Sequence, residues 1–321
     1  MSIDRLLKSM LNTDDFRYSA IKGDASKRKF YKVTSKKNKY ILMDSSQEIR
    51  SYRNYLKFHK IFSKNLNLPV IYQKNNKRNV ILMEDLGVKL INDKLKKLYN
   101  EKLYEKLILN IVEIQKTPKK NIYLFTKDRY FRECLLYINY LITDLLKINL
   151  STKDFKQIQK EIESLIQNIY NHKKFVIHRD YHSKNLFYIN KRIFMIDFQD
   201  ALVASEFYDI CSILKDCYLD ISANQIKKLL KFYCENSDFE KKSFDACFFE
   251  FNESCIQRHM KAAGIFARLL IKEKRNSHIK YIPRTVNYII EETNNTKFSL
   301  INKYSTLVRD KLNASNIISS W

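Results

Sequence analysis

The chain has 321 residues and a hydrophobic share of 45%, which allows one large or two moderate domains with a proper core and excludes disorder. Its formal net charge of +24 could mark a nucleic-acid surface, but the lysines are spread along the chain, so we expect no specific nucleic-acid partner. No stretch approaches the ~18 uncharged apolar residues that span a bilayer, so we expect no membrane partner. The six cysteines contain no C-x-x-C pair, so we expect a cytoplasmic protein with reduced thiols. The oligomeric state is open.

The first 87 residues are predicted to form a small lobe with strands at 29–34, 39–44 and 79–83, where β-rich segments alternate or are continuously apolar. A helical pattern covers 47–64 and lies between the second and third strands. Residues 84–87 read Glu-Asp-Leu-Gly, a short polar connector that ends in one of only three glycines. We expect the N-terminal lobe, residues 1–87, to end there at a hinge.

The second predicted domain, residues 88–321, is mainly helical. A group of three short strands, at 175–177, 186–189 and 193–196, interrupts the helical pattern and is called the strand island below. The polar pair Asn190-Lys191 is expected to join the second and third of these strands as a hairpin. The fold class is therefore predicted as α+β, with a small β-sheet lobe and a mainly helical lobe. The predicted helices are 93–117, 128–148, 152–171, 206–219, 223–235, 243–274, 283–293 and 300–313.

The strand island contains the most specific motif in the chain. Residues 178–185 read His-Arg-Asp-Tyr-His-Ser-Lys-Asn, which is the H-R-D-x-x-x-x-N catalytic-loop pattern of the protein-kinase-like fold. Residues 197–199 read Asp-Phe-Gln, where kinases have Asp-Phe-Gly. Each fragment alone is a weak signal, but together, in this order and each beside a predicted strand, they predict a kinase-like fold.

Phosphoryl transfer explains why these residue types are needed. A carboxylate beside the attacking hydroxyl orients it and takes its proton, and this is the catalytic role predicted for Asp180. The nucleotide phosphates need a hard cation with oxygen ligands, so Asn185 and Asp197 are predicted to hold Mg²⁺. The loop is expected to turn Asp180 and Asn185 to one cleft, and the hairpin to return Asp197 opposite them. His182 is a candidate substrate contact, with a purely structural role as the alternative.

The nucleotide-binding end departs from the protein-kinase pattern. Residues 23–28 read Gly-Asp-Ala-Ser-Lys-Arg and lack G-x-G-x-x-G. Such a turn can still offer backbone N–H groups to phosphate oxygens, although an ordinary β-turn is the alternative. Met43 stands where kinases have a phosphate-pairing strand lysine, and Lys27, Arg28 or Lys29 are the candidates to replace it.

Further short matches to a known family are spread over residues 15–290, beyond the motifs at 178–185 and 197–199. They include residues 23–28, 84–87 and 178–201, followed by Tyr-Asp-Ile at 208–210 and the segment 257–268. Together they resemble the aminoglycoside phosphotransferase and choline kinase superfamily, and most of all the anomeric N-acetylmuramate/N-acetylglucosamine kinases of bacterial cell-wall recycling. The resemblance implies ATP and Mg²⁺ as cofactors and transfer to the anomeric hydroxyl of an N-acetyl amino sugar in peptidoglycan recycling.

The resemblance also assigns binding residues outside the catalytic loop. For Arg258 and His259 a solvated basic helix face is the alternative, and mid-helix Gly264 suggests close packing against a neighbouring element. Asp209 is expected to cap or anchor the helix near Tyr208. The nucleotide-binding residues are expected to be Gly23, Asp24, Ser26, Arg28, Glu84 and Leu86, and the substrate-binding residues His182, Asp200, Arg258 and His259.

Two other functions stay open on the sequence. One is a phosphotransferase for another small hydroxyl compound, such as an aminoglycoside or a choline-like amino alcohol, although the basic segment 257–261 disfavours cationic acceptors. The other is a catalytically inactive kinase fold that binds nucleic acid, favoured by Met43 and the net charge and opposed by the intact motif residues. Protein substrates are not expected, because only the short connector 198–205 precedes the next helix.

Overall fold

The computed structural model describes residues 2–21, 27–237 and 243–314. The chain divides into two compact units, one made of Met1–Lys94 with Lys184–Ala201 and the other of Leu95–Ser183 with Leu202–Trp321. The predicted domain boundary after Gly87 stays a prediction. In the division into units, the hairpin that follows the catalytic-loop motif belongs with the N-terminal residues.

The first unit is built on a five-stranded antiparallel sheet in the order β1-β2-β3-β5-β4. Three of these strands match the predicted ones closely, whereas β1 and β4 were not predicted. Both additional strands expose most of their side chains, so neither carries the alternation that marks a half-buried strand. The strands are β1 (Arg17–Ile21), β2 (Lys29–Ser35), β3 (Asn38–Asp44), β4 (Ile71–Asn75) and β5 (Val80–Glu84).

Two helices accompany this sheet. Helix α1 (Ile3–Leu11) begins at Ser2, whose side chain accepts a hydrogen bond from the Arg5 N–H. Its apolar face packs on the sheet in a core cluster that includes Leu7, Val33 and Leu82. Helix α2 (Ile49–Phe62) lies between β3 and β4 in the chain and buries Tyr55, Phe58 and Phe62.

A separate hairpin completes the first unit. Strands β7 (Leu186–Ile189) and β8 (Arg192–Met195) pair antiparallel, as predicted. The connecting residues Asn190 and Lys191 both have positive φ, 48° and 62°, which is the requirement of a two-residue type I′ turn. The hairpin is held to the rest of the unit by Asn67, whose backbone and side chain bond to β8.

The second unit is mainly helical, and in it β6 (Lys174–Ile177) pairs antiparallel with β9 (Leu202–Ser205). Strand β9 was predicted as part of a connector, but all four of its residues are buried. Helix α3 (Ile91–Lys97) crosses the boundary between the two units. The remaining helices are α4 (Glu101–Gln115), α5 (Lys127–Leu136), α6 (Thr152–Asn171), α7 (Tyr208–Leu214), α8 (Ala223–Asn236), α9 (Phe244–Glu273), α10 (Ile282–Thr293) and α11 (Ser299–Ala314).

The 30-residue helix α9 runs through the core of this unit and packs tightly against α5. A Cβ added at Gly264 would lie 2.4 Å from the backbone atoms Leu136 C and Tyr137 N. At the same place α5 gives way to a π-helical segment, Tyr137–Leu145. The close approach predicted from Gly264 is therefore present. Within the described ranges, no helix combines the length and apolarity that crossing a membrane requires.

Candidate active site

The predicted site residues fall in both units, and three of them, Gly23, Asp24 and Ser26, lie outside the described residues. In the first unit Glu84 ends β5, and its Oε2 accepts a hydrogen bond from the Val70 N–H at 3.1 Å. Leu86 is buried two residues later. Glu84 and Leu86 therefore belong to an ordered segment, and their contact with a nucleotide stays a prediction.

The hairpin brings the two predicted metal ligands to one end of the β7–β8 pair. Leu186 pairs with Met195, and the ladder is extended by the Ile196 N–H, which donates to the Asn185 carbonyl at 3.0 Å. Asp197 follows with φ 65° and ψ 31°, a left-handed conformation that turns the chain sharply. Phe198 is then buried against Tyr55, with ring centroids 4.8 Å apart. The register therefore sets Asn185 beside the residue that precedes Asp197.

Arg28 binds the Asp197 carboxylate. Its Nη2 lies 2.6 Å from Asp197 Oδ1, and the same oxygen accepts a bond from Gln199 Nε2 at 3.0 Å. Arg28 is buried, whereas the neighbouring Lys27 and Lys29 are exposed. Of the three basic residues considered as replacements for the missing strand lysine, only Arg28 therefore has its charge directed to the Asp-Phe-Gln motif.

The chemistry of Asn185 and Asp197 fits a magnesium ion. They offer an amide oxygen and a carboxylate, both hard donors, and Mg²⁺ in nucleotide sites takes one or two such ligands along with waters and phosphate oxygens. The Asp197 side chain is 37% exposed, so it is accessible to such an ion. In the described part of the chain, no group of three or more His, Cys, Asp or Glu side chains could hold a metal ion.

In the second unit two buried carboxylates anchor the loop that carries Asp180. Asp209 accepts hydrogen bonds from the backbone N–H groups of His178, at 2.6 Å, and Arg179, at 3.0 Å. Asp216 accepts from the Ser183 N–H at 2.9 Å. Arg179 has a positive φ of 81°, which costs free energy in a residue with a long side chain. These bonds therefore hold a strained loop in one conformation, as a preorganised catalytic group requires.

Asp180 is surrounded by cations. Its side chain is 32% exposed, and the Lys261 Nζ lies 3.5 Å from its Oδ1. Burial would raise the pKa of Asp180, but the positive charges of Lys261, Arg179 and other cations lower it below its usual range. The carboxylate is therefore ionised at neutral pH, which suits a group that must accept a hydrogen bond from a hydroxyl.

Sequence reasoning missed the contact between Asp180 and Lys261, and also a second ion pair behind the loop. The Arg179 guanidinium lies 3.0 Å from Glu133 Oε1. Local sequence carries no signal for the Glu133 partner, since 46 residues separate the two side chains. The basic segment 257–261, which also belongs to the family resemblance, was the sequence feature that drew attention to α9.

Two of the predicted substrate contacts, His182 and Asp200, lie in different units. His182 is half-buried and packs edge-to-face on Tyr218, with ring centroids 5.2 Å apart. Asp200 is exposed, and its Oδ2 accepts a bond from Gln199 Nε2 at 3.3 Å. Substrate contact by these two side chains stays a prediction.

Arg258 and His259 are buried rather than set on a solvated face. The Arg258 Nε donates to Ser212 Oγ. His259 Nδ1 donates to Glu292 at 3.0 Å, and its Nε2 to the Lys215 carbonyl at 3.1 Å. Burial would lower the pKa of His259, but Glu292 raises it above its ordinary value. Both nitrogens of His259 are thus engaged within the protein, so this geometry gives no support to its predicted contact with a sugar.

Comparison with known proteins adds independent information. The model of the family described as "Phosphotransferase enzyme family" matches residues 17–244. The N-acetylmuramate/N-acetylglucosamine kinase of Neisseria meningitidis serogroup B is 27% identical over 297 residues, which cover 88% of this chain and 89% of that protein. Both the predicted superfamily and the narrower kinase group are therefore confirmed as relatives.

Solved structures support the fold. The choline kinase of Streptococcus pneumoniae superposes with a TM-score of 0.65 at 12% identity, over 90% of this chain and 98% of that one. An aminoglycoside phosphotransferase with bound ADP gives 0.59 at 15% identity, over 92% and 97%. These matches confirm the predicted α+β, protein-kinase-like fold.

Proposed function

The chain belongs to the phosphotransferase enzyme family, and we propose that it is an ATP-dependent kinase for the anomeric hydroxyl of N-acetylmuramate, N-acetylglucosamine or both. The observation that carries the proposal is the 27% identity, over 88% of the chain, to a kinase named for these two sugars. ATP as the donor is supported by the kinase name of that relative. The prediction of a phosphotransferase is confirmed at the level of the family.

In the proposed reaction the anomeric oxygen of the sugar attacks the γ-phosphorus of ATP. A new P–O bond forms as the bond from the γ-phosphorus to the β,γ-bridging oxygen breaks, and ADP leaves. The hydroxyl proton passes to the Asp180 carboxylate and then to solvent. The support for this role is the ionised, partly exposed state of Asp180 in a loop anchored by Asp209.

Asn185 and Asp197 are the residues that would hold Mg²⁺, which when bound neutralises charge on the nucleotide phosphates. Arg28 is proposed to bind those phosphates in place of the strand lysine of other kinases, since Met43 stands at the position of that lysine. The support is its bond to Asp197 at 2.6 Å. It stands directly before Lys29, which pairs with Asp44 at the end of β3, next to Met43.

A choline-like or aminoglycoside acceptor is less compatible with the charges near Asp180. Structural relatives carry such names, but at 12% and 15% identity they support the fold alone. Lys261, Arg179 and Arg258 all act on Asp180 as positive charges. A cationic acceptor would be repelled by this group, whereas a neutral or anionic sugar would not.

The test is ADP release with a panel of acceptors at fixed ATP and Mg²⁺. We expect kcat/KM for N-acetylmuramate or N-acetylglucosamine to exceed that for choline or an aminoglycoside by at least roughly 100-fold. The Asp180→Asn protein, assayed beside it, separates genuine transfer from contaminating activity. A preference for a cationic acceptor would refute the proposed substrate. The absence of turnover with every acceptor would refute the proposed kinase activity.

A further inference from the structure

Lys261 is a buried lysine that no local feature of the sequence explains. Its side chain is only 9% exposed, and it lies on α9 between other buried residues. A lysine in such a position costs free energy, because its ammonium loses its hydration. An apolar residue would pack there more cheaply, so the ammonium needs a physical or functional reason.

The polar partners of Lys261 converge on the catalytic loop. Its Nζ lies 3.5 Å from Asp180 Oδ1 and donates to the Tyr208 hydroxyl at 3.2 Å. Tyr208 is followed in the chain by Asp209, which accepts the backbone bonds of His178 and Arg179. The first turn of α7 therefore holds both the loop backbone and the ammonium that meets the loop's carboxylate.

The 3.5 Å separation is long for a hydrogen bond, which is common for catalytic contacts without substrate. The Coulomb attraction remains substantial at this distance, because the lysine is largely removed from solvent. The Asp180 carboxylate, by contrast, is 32% exposed. One side of the carboxyl group is thus held by a buried cation while the group stays accessible to an acceptor.

We propose that Lys261 is a positioning residue for phosphoryl transfer, which fixes the orientation of Asp180 and holds it ionised as the acceptor hydroxyl approaches. This inference rests on the proposed role of Asp180 as the base. It concerns a residue to which neither the motifs nor the names of the relatives assign a function.

The other charged and titratable groups around the pair must be considered in any pH experiment. Those facing Asp180 are Arg179 and His182 from its own loop, Arg258 from α9, and Tyr208 and Asp209 from α7, while Glu133 from α5 acts on Lys261. Removing Lys261 leaves all of these in place. A change in the titration of Asp180 in such a variant therefore reports the loss of one cation.

The informative variant is Lys261→Met, which keeps most of the length of the side chain and removes its charge. Burial raises the pKa of Asp180 and Lys261 opposes that effect, so the pKa of Asp180 should rise in the variant. The acidic limb of kcat should move to higher pH by the same amount. With the carboxylate less well held, kcat at neutral pH should fall roughly 10- to 100-fold, while KM for ATP stays within about twofold of the wild-type value.

Two controls make the result specific. Lys272→Met removes a lysine from an exposed position of the same helix and should leave kcat and its pH profile unchanged. Lys261→Arg keeps a cation and should retain the wild-type acidic limb. The inference is overturned if Lys261→Met leaves kcat unchanged, if its acidic limb stays at the wild-type pH, or if Lys261→Arg shifts the limb as far as Lys261→Met does.

A titration that needs no substrate separates this inference from the proposed function. The carboxyl carbon of Asp180 can be followed by NMR in full-length protein labelled with ¹³C at aspartate, with Asp180→Asn to assign the signal. A higher pKa in Lys261→Met supports the inference even if no amino sugar is phosphorylated. An unchanged pKa overturns it even if the sugar kinase activity is present.

Discussion

The substitution Gly264→Ala tests how closely α9 must approach α5 to form the second unit. The added Cβ would lie 2.4 Å from both Leu136 C and Tyr137 N, whereas ordinary van der Waals contacts are 3.4–4 Å. Both atoms belong to backbone at the start of the π-helical segment. They cannot rotate away as the end of a flexible side chain would.

The expected cost follows from two opposing effects. Alanine gains about 1 kcal/mol over glycine in a helix interior, but overpacking costs typically about 1–3 kcal/mol and occasionally more. With two backbone atoms in contact at 2.4 Å, the upper end applies. We expect a net loss of about 2 kcal/mol, or a fall in Tm of roughly 4–8 °C.

The same substitution should also affect the catalytic loop and lower kcat. Lys261 lies three residues before Gly264, on the same side of α9, so a helix pushed away from α5 moves Lys261 relative to Asp180. Thermal unfolding monitored by circular dichroism measures the stability, and ADP release measures kcat. Lys272→Ala, at an exposed position of the same helix, is the control and should leave both stability and kcat unchanged. A Gly264→Ala protein as stable as wild type would refute the close approach of α9 and α5.

Three further predictions concern individual side chains of the site. Asp180→Asn should lower kcat by ~10²–10⁴ with little change in KM for ATP, as measured by ADP release, and full turnover would contradict its role as base. Arg28→Met should reduce kcat/KM for ATP by roughly 10- to 150-fold, because a charge-assisted bond to phosphate contributes that factor. The control Lys29→Met, at an exposed position, should leave kcat/KM unchanged. Equal effects of the two substitutions would refute the special role of Arg28. Burial raises the pKa of Asp209 to about 7, above its value of about 3.9 in an unfolded chain. Since the pKa is higher in the folded state, the wild type should lose stability relative to Asp209→Asn as pH rises from about 4 to about 7. Urea unfolding over this range measures the free energy of unfolding of both proteins. A difference in that free energy that is independent of pH would contradict the prediction.

The sequence predicted the long periodic elements best. Helix α6 was predicted at 152–171, and the structure has Thr152–Asn171. The predicted helix 93–117 is instead divided into α3 and α4, because the side chain of Asn100 caps a new helix by accepting a bond from the Leu103 N–H. That asparagine was a readable signal. The π-helical segment after Leu136 had none, since it coincides with a packing contact made by a distant glycine.

The catalytic motif could be recognised because its residues are close together in sequence, whereas the partners of those residues are not. Arg28 and Asp197 are 169 positions apart, and Lys261 and Asp180 are 81 apart. Composition and periodicity indicate only that such charges exist. Which carboxylate meets which cation depends on how the helices pack, and Lys261 was therefore missed.

The position of the new phosphate on the product tests the account most directly. Wild-type protein is incubated with ATP, Mg²⁺ and N-acetylmuramate, with N-acetylglucosamine in parallel, and the product is examined by ¹H and ³¹P NMR. Coupling of phosphorus to the anomeric proton of either sugar is the predicted result. Phosphate on O6, or no phosphorylated sugar from either acceptor, would contradict the account.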